Sequence, residues 1–145
     1  MDSRLLDIIG YNGEGYKPLV DFGAWRVAYL RYLDELYPPN IQRMERHLQT
    51  DEVFILLEGE AILMMGEGDQ SVTQLHPVRM ERMKIYNVRQ GAWHGVVMGR
   101  QATILLVENQ DTGDANSEYF TLNAPLKAQF IVEAKKIKDW IDLKS

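Results

Sequence analysis

Short runs of β-branched, aromatic and aliphatic residues, cut repeatedly by glycine and polar turns, restrict this chain to an all-β architecture. Trp25 to Leu33 alternates and is rich in aromatic and aliphatic side chains, so it reads as a strand stopped by Tyr37-Pro38-Pro39-Asn40. Ile41 to His47 reads as a second strand, with Arg43, Glu45 and His47 on one face and Gln42, Met44 and Arg46 on the other. Glu52 to Leu57 and Glu60 to Met65 resemble two strands joined around Gly59, and Gly66-Glu67-Gly68-Asp69 is a strong turn. Further strands are expected over Arg82 to Val88, Gly95 to Met98 and Ala102 to Glu108. Roughly six or more short strands at this spacing, with no helical periodicity between them, predict a sandwich or a small barrel.

Helices are expected only at the ends. Ser3 is placed to cap a short N-terminal turn through Leu5, Leu6, Ile8 and Ile9, ended by Gly10. Glu133 to Leu143 sets Ile137, Trp140 and Ile141 on one helical face, a stripe suited to covering the barrel or a dimer partner. Asn109 to Ser117 is a loop by composition. A chain of 145 residues, 46% of them hydrophobic, buries one ordinary core and is short for two, so a single domain over 1–145 is expected. The net charge of -5 gives no long-range pull toward phosphate backbones or anionic lipid, which argues against nucleic-acid and membrane partners. No apolar run approaches the roughly 20 residues of a membrane span, and no basic-then-apolar leader precedes the first strand. With no cysteine there is no disulfide, thiolate metal site or cysteine nucleophile, and a cytoplasmic location is the expectation.

Two of the three histidines stand at the edges of β-type sequence, His47 in Met44-Glu45-Arg46-His47 and His94 in Gly91-Ala92-Trp93-His94, with Glu52 at the start of another strand. Imidazoles and a carboxylate converging from separate strands can hold a borderline divalent metal or polarise a small oxygen-rich substrate. In the metal reading His47, Glu52 and His94 are ligands, with Glu45 a possible fourth, and the set suits zinc, manganese, iron or nickel. In the metal-free reading His94 or His47 is a general base and Arg43 holds a substrate carboxylate. Glu45 and Arg43, two apart on one strand, could equally form a local ion pair. Lys84 and Tyr86 share a strand face and would donate to a substrate oxygen if that face is the inner one. Trp93 is expected as a pocket wall or core residue, and His76, followed by Pro77, as a solvated surface residue.

His47, four residues, Glu52, six residues and Gly59 resemble the second half of the first motif of the cupin superfamily, and Gly91-Ala92-Trp93-His94 resembles the second cupin motif. The chain departs from the metal-binding pattern at Glu45, where a histidine is usual, and at Arg89, where a proline is usual. Within the cupins, Met44-Glu45-Arg46-His47, the Phe54 strand and Gly91-Ala92-Trp93-His94 look closest to the ureidoglycolate lyase family, although Leu48 follows His47 where those enzymes commonly carry proline. The resemblance covers about Gln42 to Asn109. It implies a cupin-type (RmlC-like) jelly-roll β-barrel and a carbon–nitrogen lyase that splits ureidoglycolate into glyoxylate and urea. His47, His94 and Glu45 would be catalytic, and Arg43, Lys84, Tyr86 and Trp93 would contact a small carboxylic acid. A homodimer is also implied. Another metal-dependent cupin enzyme, such as an isomerase or dioxygenase, and a non-catalytic ligand-binding cupin are the alternatives.

Overall fold

The structure is a computed structural model, and it describes residues 1–138. Strands β1 (Gly15–Phe22), β2 (Trp25–Arg31), β3 (Arg43–His47), β4 (Glu52–Glu58), β5 (Ala61–Glu67), β6 (Gln74–Arg79), β7 (Tyr86–Val88), β8 (Trp93–Met98), β9 (Thr103–Asn109) and β10 (Ser117–Thr121) precede helix α1 (Ala124–Ala134). They form two five-stranded antiparallel sheets, ordered β1-β2-β9-β4-β7 and β10-β3-β8-β5-β6. Apart from β1-β2 and β5-β6, neighbours in each sheet are not consecutive in the chain, as in a jelly roll. In the second sheet, β3 meets β8 at one register pair, Glu45 opposite His94.

Two cores follow from the period-two alternation of the strands. Between the sheets, Ala28, Phe54, Leu56, Leu63, Met98, Ile104 and Leu106 are buried together. Residues of the second sheet that point the other way, among them Met44, Ile62, Met64, Trp93 and Val97, are buried against Leu126, Phe130 and Ala134 of α1. Asn123 starts that helix by accepting the Leu126 N–H at 3.0 Å through Oδ1, and Pro125 occupies its first turn, where no N–H is needed. Gly95 lets it dock, because a Cβ there would lie 3.2 Å from the Phe130 ring. No helix among the described residues is long and apolar enough to cross a membrane.

The elements depart from the sequence reading at the periphery. Residues 1–14 form no helix; a single turn from Asp2 to Leu5 is closed by a backbone hydrogen bond of 3.1 Å, and Leu5, Leu6 and Ile8 stay exposed. The C-terminal helix begins at Ala124 rather than near Glu133. Of its expected stripe, Ile137 is buried, whereas Trp140 and Ile141 lie outside the described residues. Strands β1, β6 and β10 were not expected, and His76, exposed on the surface, sits with Pro77 in β6. The expected strand from Arg82 shrinks to Tyr86–Val88, because Met83 takes a left-handed conformation (φ 69°) that interrupts an extended run.

Gly59, between β4 and β5, has φ 76°, and a Cβ there would meet the Ala102 Cα at 2.5 Å. Both the conformation and the close backbone approach require glycine. Gly59→Ala is expected to destabilise the fold by about 2–4 kcal/mol, combining left-handed strain with a backbone clash, as read from the midpoint of urea unfolding.

Candidate functional site

Because side chains alternate along a strand, β3 sends Arg43, Glu45 and His47 toward the opposite sheet, and β8 sends His94 to meet them. From the facing sheet come Glu52 and Phe54 of β4, Leu106 and Glu108 of β9, and Tyr16 of β1. Together they line a cavity of about 820 Å³.

At its base three side chains converge on one point. Glu52 Oε1 lies 3.2 Å from His47 Nε2 and 3.1 Å from His94 Nε2. Glu45 Oε1 lies 3.8 and 3.7 Å from the same two nitrogens, on the more open side. The far nitrogen of each ring is held: His94 Nδ1 donates to the Ala92 carbonyl at 3.0 Å, and His47 Nδ1 meets Ser117 Oγ at 2.8 Å. A carbonyl only accepts, so His94 Nδ1 carries a proton and Nε2 points inward. Glu52 Oε1 and His94 Nε2 are nevertheless buried without a hydrogen-bond partner among the described residues. Close polar atoms that fail to bond to one another, with their outer nitrogens anchored, are what a cation-binding donor set presents.

The Glu52 charge sets the electrostatics of the centre. Burial raises the Glu52 carboxyl, but the two imidazoles outweigh it and hold the group at about 2. Burial likewise lowers both histidines, and the Glu52 carboxylate reverses that, lifting each above the ordinary imidazole value. Glu108 shows the opposite balance: burial, reinforced by the negative charge of Glu52, pushes it up to about 7, although Tyr16 donates its hydroxyl to Oε1 at 2.7 Å. Glu45, His47 and His94 form one group able to hold a metal, and His47, Glu52 and Glu108 form a second. Imidazole nitrogen plus carboxylate oxygen fits zinc, manganese, iron or nickel.

The structure thus brings His47, Glu52, His94, Glu45 and Arg43 to one cavity and keeps three other candidates out of it. Lys84 is exposed and ion-paired with Glu81. Tyr86 packs with the core between the sheets, its hydroxyl accepting the Glu81 N–H at 2.8 Å. Lys84 precedes β7, which begins only at Tyr86, so the two share no strand face. Trp93, next to His94 on β8, must face the other way; it is buried on the helix side, with Nε1 donating to the Asp69 carbonyl at 2.9 Å. Arg43 and Glu45 do not form an ion pair; the Arg43 guanidinium lies 3.7 Å over the Tyr119 ring. Sequence reasoning missed Glu108, Tyr16 and Ser117. Glu108 carried a signal, an acid continuing the inward row of Ile104 and Leu106, whereas Tyr16 and Ser117 lie on strands that were not expected.

No protein-family profile matches the chain, and no curated protein does. Solved structures do. PAC13 from Streptomyces, determined with uridine, superposes with a TM-score of 0.55 at 6% identity, over 82% of this chain and 88% of its own. The QdtA 3,4-ketoisomerase from Thermoanaerobacterium thermosaccharolyticum, a double mutant in complex with TDP, gives 0.52 at 18% identity, over 81% of this chain and 77% of its own. A cupin-2 domain protein from Shewanella frigidimarina gives 0.49 at 14% identity, over 69% and 85%. At such identities the likeness is one of fold. Strand order, the two facing sheets and the likenesses to PAC13 and QdtA together identify that fold as the cupin-type jelly roll.

Proposed function

We propose that this protein is an enzyme that works on a small oxygen-bearing molecule with the help of one divalent metal ion. His47, Glu52 and His94 would hold the ion, and Glu45 would flank its open side. The observation that carries this is the pair of buried, unpartnered atoms, Glu52 Oε1 and His94 Nε2, standing 3.1 Å apart. Such an ion supplies Lewis-acid polarisation of a carbonyl or hydroxyl oxygen. The chain's own residues do the rest. Glu45, half-exposed at the centre, accepts a proton from a substrate hydroxyl, and Glu108, anchored by Tyr16, holds one deeper in the cavity. Phe54 and Leu106 exclude water from that side. The small-molecule ligands named for PAC13 and QdtA support a small-molecule substrate here.

A second reading narrows the reaction to carbon–nitrogen lysis of ureidoglycolate. Arg43 in the cavity wall favours it as a partner for the carboxylate, and Glu45 opposite His94 supplies the two titratable groups that proton removal and delivery need. We also infer a homodimer. The residues alternating with the cavity row in the β1-β2-β9-β4-β7 sheet form cross-strand apolar rows, Val27 with Val107 and Val53, and Tyr29 with Leu105 and Ile55, next to exposed Phe22 and Trp25. A self-complementary face of this kind suits a two-fold partner.

Purified protein is expected to carry about one divalent ion per chain by mass spectrometry of the metal, with binding weakened by about 100-fold or more in His94→Ala and Glu52→Gln. Affinity should fall as pH drops through the raised histidine range, because protons then compete for the ligand nitrogens; an affinity independent of pH would remove these ligands from consideration. Incubation with racemic ureidoglycolate tests the lyase reading: urea released by wild type, and lost on chelation or in His94→Ala, supports it, and no urea above background rejects that substrate. Sedimentation should find a dimer that Leu105→Glu converts to a monomer.

A further inference from the structure

We infer that the cavity selects an uncharged or positively charged molecule with an apolar body, and rejects carboxylate and phosphate ligands of the same shape. This rests on the small-molecule, ion-assisted reading of the same cavity, and it parts from the lyase reading, whose substrate is an anion.

Charge is the first ground. Four carboxyl side chains line the cavity, Glu35, Glu45, Glu52 and Glu108, against one guanidinium, Arg43. A divalent ion together with Arg43 offsets only three of those four if all are ionised, so even the loaded cavity offers no net positive charge to an anion. Arg43 is itself stacked on Tyr119 at 3.7 Å. The nearest other arginine cannot help: Arg46 alternates to the opposite face of β3, where it donates to the Asp69 carbonyl at 2.8 Å, pairs with Glu118 at 3.2 Å and lies 4.4 Å over Trp93.

Hydrogen-bonding capacity is the second ground. Ionised carboxylates accept and do not donate, and most neutral donors of the wall are already spent: the Tyr16 hydroxyl on Glu108 at 2.7 Å, the Asn40 amide on the Asp34 carbonyl at 2.9 Å, the Thr112 hydroxyl on the Asn109 carbonyl at 2.7 Å and the Tyr119 hydroxyl on Asp114. Apart from Gln42 and Arg43, the polar wall therefore asks its ligand for O–H or N–H donors. Size and wall chemistry are the third. About 820 Å³ is the room of a drug-sized ligand rather than of a few-atom acid, and Leu30, Phe54, Val96 and Leu106 give it an apolar side.

The test is calorimetric titration of the zinc-loaded full chain, at low ionic strength, with four probes of one shape: 4-phenylbutylamine, 4-phenylbutanol, 4-phenylbutanoate and 4-phenylbutyl phosphate. The amine and the alcohol are expected to bind about tenfold or more tightly than the carboxylate and the phosphate. Glu35→Gln, at an exposed position outside the ion centre, should narrow that gap while leaving zinc stoichiometry and thermal unfolding unchanged. The inference is overturned if the carboxylate or the phosphate binds as tightly as the amine, or if none of the four binds folded, loaded protein. Zinc retention is read separately: a chain that holds no zinc but keeps the preference for amine and alcohol would defeat the ion-assisted reading and leave the selectivity standing.

Discussion

A carboxylate withdrawn almost wholly from water must be compensated, and the arrangement around Glu52 is organised by that requirement. Its exposure is 4%, and its inward oxygen faces two imidazole nitrogens supplied by the opposite sheet. Leaving such a charge unpaired would cost several kcal/mol, so the sheets are tied together at this level by electrostatics as well as by the apolar contacts elsewhere between them. The ties continue outward: Ser117 and the Ala92 carbonyl fix the ring orientations, and the last strand is thereby drawn into the centre. The same charge holds a proton on or near its neighbour Glu108, giving two carboxyl groups on adjacent strands opposite preferences.

How much of this was legible in the sequence depended on where each strand sits in its sheet. The strands read from alternation, β2, β3, β4, β5, β8 and β9, are interior to the sheets, with a neighbour on both sides and, in all but β3, a strong apolar row. The three that were missed, β1, β6 and β10, and the one that was overextended, β7, are the four sheet edges. An edge strand is paired on one side only and tolerates proline and charge, as Pro18 and Pro77 illustrate, so its composition approaches that of a loop. Only Leu75 of β6 is buried, which leaves hardly any periodicity to read.

The site divided along the same line. His47, Glu52, His94, Glu45 and Arg43, which share one cavity, stand on interior strands, and alternation put the β3 trio on one face without saying which way that face points. The expected shared face of Lys84 and Tyr86 failed because the strand begins only at Tyr86, after a left-handed residue at Met83 that carries no clear sequence signal when the residue is not glycine, asparagine or aspartate. Of the two places expected for Trp93, pocket wall or core, it takes the core, because a residue adjacent in sequence to an inward histidine on a regular strand points outward. Tyr16 and Ser117 could not be placed without their edge strands.

The lone register pair between β3 and β8 gives the barrel an unusual seam. Elsewhere neighbouring strands are laced over three to seven residues, but here the β10-β3 ribbon is fastened to the rest of its sheet by one stitch, and that stitch is Glu45 against His94. The weakest join in the backbone and the centre of the chemistry therefore coincide. Whatever occupies the centre draws on both sides of the seam at once, so filling the site also fastens the wall.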